Sequence, residues 1–235
     1  MQKPQWINAN MLKNKIFLIT VGVSLLLLLL VVFFNFKDPG RPPGDALAQA
    51  ISKTRDAKNF RYRVETRTKI NNKNNTFSQV EGEKFRPDNL HIKGQVMKTP
   101  IEIFQINEKI YSKDNYGGNW VNIDINELNQ DGNFINELNP LEDLVFRDLG
   151  EVNYKGVAKV RDAKLWEYEL RPIIDNQYME ALYSDFVYNI WVHPGKEIIS
   201  KVVIKAKGKE DENDEFMVTI EFLDYNKVKP INPPV

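Results

Sequence analysis

A chain of 235 residues without a cysteine can have no disulfide, thiol nucleophile or thiolate metal site, and its length fits one domain beyond any terminal segments. Three of its 32 basic residues, Lys3, Lys13 and Lys15, precede an apolar run with no acid beside them. The other 29 face all 32 acidic residues, a net charge of −3 from Lys37 onward. That balance leaves no electrostatic footprint for nucleic acid, and without cysteine there is no site for a lipid-modified N-terminus.

Ile16 to Phe36 carries no charge, and seventeen of its 21 positions are Ile, Leu, Val or Phe. As a helix it would reach roughly 31 Å, about the thickness of a bilayer's hydrocarbon core. The three lysines before it outnumber Lys37 and Arg41 after it. Positive-inside bias therefore predicts a cytoplasmic segment 1–15, a transmembrane helix 16–36 and an extracytoplasmic remainder, anchored in the plasma membrane. Ala46-Leu47-Ala48 has the form of a signal-peptidase site. It lies about ten residues past the apolar run, which itself exceeds a usual signal-peptide core, so the reading is an uncleaved anchor.

Residues 37–44, rich in Pro and Gly, predict a stiff, extended linker, and 45–235 one domain. Asp45 reads as the N-cap of a short helix through Lys58. From Phe60 the period is two: Phe60, Tyr62, Val64, Thr66, Thr68 and Ile70 alternate with charged residues, as in a half-buried strand. A turn at Asn71–Asn75 leads to a strand from about Thr76 to Phe85. Further strands fall at Leu90–Val96, Ile101–Ile106, Lys109–Lys113 and Trp120–Ile123. Asp124–Gly150 loses the alternation and predicts two short helices. Strands resume at Glu151–Val160 and Lys164–Arg171, then a helical piece runs from Asp175 to about Ser184. Three last strands follow at Phe186–Val192, Glu197–Lys207 and Glu215–Leu223, the final hairpin carrying the acidic tip Asp211–Glu215.

The fold class is α+β: an N-terminal transmembrane helix, then a large antiparallel sheet of about 10–11 strands with short covering helices. Short connections make the sheet a meander, and a sheet this large curls. Curled over few helices, it predicts a half-barrel with an apolar hollow.

Several short runs strengthen this reading. They are Phe85-Arg86-Pro87-Asp88 before a strand, and Ile110-Tyr111-Ser112-Lys113 leading to Trp120. Further along come Ile190-Trp191-Val192-His193 with Gly195, Ile198 and Lys201-Val202, and the ending Glu221-Phe222-Leu223-Asp224-Tyr225-Asn226. In this order, over residues 45–230, the chain resembles the LolA-like bacterial envelope lipoprotein carriers, including the mycobacterial LppX and LprG type. The resemblance implies a curved half-barrel closed by helices around a cavity for acyl chains, with the Asp175–Ser184 helix as its lid. The chain departs from that pattern in having a transmembrane segment where the family has a lipidated cysteine. That departure argues against shuttling as a soluble carrier and leaves local binding, handing-off or sensing open.

No catalytic or metal signature competes. His91 and His193 show no ligand spacing, and none of Ser52, Ser78, Ser112, Ser184 and Ser200 sits in a nucleophile elbow. The acidic hairpin tip lacks the glycine and spacing of a calcium loop. No cofactor and no enzymatic activity are expected. Trp120, Phe134, Trp166, Tyr178, Met179, Leu182, Tyr183 and Phe186 are the candidate apolar lining. The expected function is a membrane-anchored module binding a lipid or another apolar ligand. The alternative is a sensory or protein-interaction ectodomain with a filled core and an envelope protein as partner.

Overall fold

The computed structural model describes residues 23–24, 38–86, 89–107, 109–115, 117–124 and 138–234. The expected transmembrane helix 16–36 lies outside them except for Val23 and Ser24, which are helical. Among the described residues no helix is long and apolar enough to cross a membrane. Phe134 and most of the expected helical stretch after Asp124 also fall outside.

From Arg41 onward the chain forms a compact unit of its own. Helix α1 (Pro43–Arg55) is followed by strands β1 (Asn59–Ile70), β2 (Lys73–Phe85), β3 (Asn89–Val96), β4 (Thr99–Ile106), β5 (Lys109–Lys113) and β6 (Trp120–Asp124). A 3-10 turn at Glu142–Leu144 precedes β7 (Phe146–Asp148), β8 (Val152–Val160), β9 (Ala163–Leu170) and β10 (Ile173–Ile174). Helix α2 (Gln177–Leu182) leads into β11 (Tyr183–His193), β12 (Ile198–Gly208) and β13 (Glu215–Leu223). Among the described residues eleven strands form one antiparallel sheet, ordered β6-β5-β4-β3-β2-β1-β13-β12-β11-β9-β8, while β7 and β10 pair separately. This is the large antiparallel sheet with few helices that alternation and turn spacing predict.

Local chemistry moves some boundaries. Helix α1 starts three residues early because Pro43 takes the first helical position, where its missing N–H is no loss. Asp45 therefore sits in the first turn and does not cap the helix. The turn after β1 is only Asn71-Asn72, both at positive φ (50° and 63°), which suits a tight hairpin and lets Ile70 pair with Lys73. The β7–β10 ribbon was not expected at all, since two- and three-residue strands carry no periodicity to read.

The concave face holds the core, and its two ends differ. At one end lie Phe60, the β11–β12 turn and the end of β13. There α1 buries Ala46, Leu47, Ala50 and Ile51 against the sheet. The fully buried Thr54 pins it: its hydroxyl donates to the Ala50 carbonyl at 2.7 Å and accepts from the Ile199 N–H at 2.9 Å. The tail is held at the same end, where Asn59 Oδ1 accepts from the Val228 N–H at 2.8 Å.

The chain enters here too. Glu197 pairs with both Arg41 and Lys53. The Lys53 hydrogen bond, with help from the Arg41 charge and against partial burial, holds the Glu197 carboxyl below its ordinary value of 4.5. A lowered folded-state pKa means that the contact stabilises the fold above about pH 4.5 and is lost as pH falls further. Melting of the full chain from neutral pH to about pH 3 is therefore expected to decline less steeply in Glu197→Gln. Superimposable declines would show that this contact takes no part in the acid response.

Candidate functional site

At the opposite end, beyond the reach of α1, the concave face stays open. The last turns of β1 and β3 and the first turns of β2, β11 and β13 bound a hollow of about 340 Å³. Its floor is apolar: Val64, Val96, Ile204, Val218 and Tyr188 are buried there. Thr66 and Thr68 continue the β1 face toward the mouth, and Phe216 lies beside them on β13.

Two β-bulges shape the walls. On β2, Thr66 pairs with Ser78 and Arg67 with Thr76, so Phe77 is an extra residue in the ladder. On β11, Ser184 pairs with Lys207 and Val187 with Lys205, leaving Asp185 and Phe186 opposite Ala206, with Asp185 at φ 54°. A bulge breaks strict alternation. Phe77 and Ser78 therefore both line the hollow, as do Tyr183 and Phe186 three positions apart.

Cover comes from two short segments. Leu138, Leu141 and Leu144 are buried, and Glu142, Asp143 and Val145 face the hollow. Helix α2 is capped by Asn176, whose side-chain oxygen accepts from the Met179 N–H at 3.0 Å. None of its residues is fully buried, and Tyr178 is 70% exposed at the rim. Arg147 ties cover to ribbon, its Nε donating to the Ile174 carbonyl at 2.8 Å while the guanidinium pairs with Glu180.

The polar groups are unequal in sign. Glu142, Asp143 and Asp175 line the hollow, and no Lys, Arg or His does among the described residues. Burial, then the neighbouring Tyr178 and Asp214, raises the Tyr183 phenol; burial, then Asp143, raises that of Tyr188. Both hydroxyls stay neutral donors across the physiological range.

Of the eight candidates, Tyr178, Met179, Leu182, Tyr183 and Phe186 line this hollow. Trp166 does not: its place on β9 opposite Val192 puts it in the packed end of the core, 8% exposed. Trp120 pairs with Lys113 on the edge strand β6 and meets the edge of Phe104 at 5.3 Å. Its side of the sheet is opposite to that of buried Ile103 and Ile110. Phe134 lies outside the described residues. Phe77, Val145 and the three carboxylates are further lining residues. Only the alternation of β1 and β13 pointed at part of that wall.

The histidines lie elsewhere. His91 stacks on Phe104 at 3.9 Å with Nε2 3.2 Å from Glu102, and His193 Nδ1 accepts from the Gly195 N–H at 3.2 Å. Among the described residues no three His, Cys, Asp or Glu side chains are grouped to hold a metal ion.

The antiparallel half-barrel, with a helix at one end and a hollow at the other, is of the LolA-like, LppX type of fold. Within it, the chain is similar to the lipoprotein LppX of Mycobacterium tuberculosis, with a TM-score of 0.53 at 13% identity over 80% of this chain and 98% of that one. LprF of Mycobacterium bovis gives a TM-score of 0.52 at 13% identity, over 82% and 96% of the two chains. At such identity the likeness is one of fold. By sequence, the chain matches no family model and no curated protein.

Proposed function

We propose that this protein is a membrane-anchored extracytoplasmic module that binds a single apolar chain without catalysing a reaction on it. One observation carries the reading: the half-barrel keeps an apolar hollow of about 340 Å³ where its own side chains could have filled it. A methylene takes up about as much room as a molecule of liquid water, roughly 30 Å³. The hollow then suits about eleven carbons in one chain, and not a lipid with several. At about 0.8 kcal/mol per buried CH2, such a chain is held without any charged contact.

The lining carboxylates select the other end of the ligand. The acids Glu142, Asp143 and Asp175 line the hollow, with Arg147 3.9 Å from Asp175, and a mouth carrying charges of its own suits a neutral head group better than a free fatty-acid anion. A monoacylglycerol has that chemistry. The fold shared with the lipoprotein LppX supports the reading. Anchoring, which a lipidated cysteine gives a lipoprotein, falls here to Ile16–Phe36 in a sequence without cysteine. The rival interaction domain with a filled interior fits only the end that α1 occupies.

The test is photolabelling of membranes containing the full chain with a diazirine-bearing 1-monoacylglycerol. Label is expected in residues 177–188 and in β1 and β13, displaceable by unlabelled monoacylglycerol. Label confined to residues 1–37, or none, would overturn the proposal.

A further inference from the structure

A second, shallow groove open to solvent adjoins the hollow, bordered by Pro172, Glu180, Ser184 and Lys209. Ile174, Tyr183 and Phe186 line both spaces. These three side chains therefore stand between the hollow and the groove.

The backbone behind those three residues is irregular. Phe186 lies in the β11 bulge and Tyr183 just before it, where Asp185 takes a left-handed conformation and the ladder to β12 is interrupted. Ile174 ends the two-residue strand β10, whose pairing with β7 is itself shifted in register. Short, irregular pairing supplies few neighbouring hydrogen bonds to hold a side chain's direction, and such segments open at low free energy. Neither aromatic ring is fully buried, whereas Tyr188 and Ile190 further along β11 are.

We infer that Ile174, Tyr183 and Phe186 form a movable partition that sets the length of chain the protein accepts. With the partition closed, the inner hollow holds about eleven carbons. With the Tyr183 and Phe186 rings swung aside, the hollow opens into the outer groove and a longer chain has room to extend. A longer chain then passes between the rings along Ile174 and Pro172 toward the outer groove. This inference rests on the proposed apolar-chain binding and adds the residues that decide its specificity.

The experiment uses the full chain in amphipol and measures displacement of one diazirine-labelled monoacylglycerol by unlabelled monoacylglycerols of about eight to eighteen carbons. In the unaltered protein, affinity is expected to rise about fourfold per methylene up to about eleven carbons and more slowly beyond. The double variant Tyr183→Ala with Phe186→Ala should carry the steep rise on by at least about four carbons. Phe186→Leu, which keeps an apolar side chain in the wall, should carry it on by about two and covers the case in which the double variant does not fold. The same break point in folded variants and parent, with binding retained, overturns the partition alone. Absence of displaceable binding at every length, parent included, overturns the apolar-chain reading and the partition with it.

Discussion

Gly94→Ala is expected to lower the melting temperature of the chain by about 6–12 °C, corresponding to about 3 kcal/mol in a unit of this size. Gly94 sits on β3 between Val80 of β2 and Ile101 of β4, at φ +154°. A Cβ built there would stand 2.2 Å from the Gln79 carbonyl oxygen and 2.7 Å from the Val80 Cα. Both are backbone atoms of a paired strand, so no rotamer change relieves the clash and β3 must move away from β2. The strain of the backbone conformation adds to this overpacking. Gly44 gives the contrast: it lies in the first turn of α1 with no atom within 4 Å of a built Cβ. Gly44→Ala should leave the melting temperature level or slightly higher. Thermal melts of both variants check the pair, and equal melting of Gly94→Ala and the parent would contradict the close approach of β2 and β3.

Val218→Phe is expected to abolish ligand uptake while leaving the fold intact. Val218 is 5% exposed and pairs with Thr66 on one side and Ile204 on the other, both of which line the hollow. Phenylalanine adds four carbons. In a filled core they would cost about 1–3 kcal/mol of stability, but here they enter open space, and the melting temperature should hold within about 3 °C. Displacing about four methylenes of ligand should cost about 3 kcal/mol of binding, more than a hundredfold. Photolabelling by the monoacylglycerol probe and a thermal melt report the two effects separately. A destabilised variant that still takes up the probe would mean that this hollow is not where the chain sits.

Much of this architecture was legible in the sequence because a half-buried antiparallel strand writes its two faces in alternate letters. Phe60, Tyr62 and Val64 are buried and Arg61 and Arg63 exposed, as the period of two requires. The strand count and hairpin positions followed from the same signal. Bulges carry no such mark. Neither Phe77 nor Asp185 is a glycine, and simple alternation would place Phe77 on the outer face of β2 and set Tyr183 and Phe186 on opposite faces of β11. The turn at Met97-Lys98 is similarly silent, since neither residue type announces the positive φ values of 49° and 68° found there. Trp166 and Trp120 show a different limit. An inward-facing aromatic says which layer it joins, but which end of a long sheet it occupies depends on where α1 stops. That is set by Pro43 at one end and Asp56 at the other, not by the tryptophans.

The position of β1 in the middle of the sheet, hydrogen-bonded to β13, has a consequence for how the protein is made. During synthesis β1 to β6 can assemble as one meander, and β8, β9, β11 and β12 as another. The seam between them waits for β13, which is made after every other strand of this sheet. Until then two sheet halves each expose an open edge with unpaired amides and carbonyls, beside an apolar face not yet covered. Pairing across about 150 residues is slow to find, and exposed edges invite association with other chains. The sheet therefore closes only once β13 has been made, and until then its two inner edges are the places most open to wrong pairing.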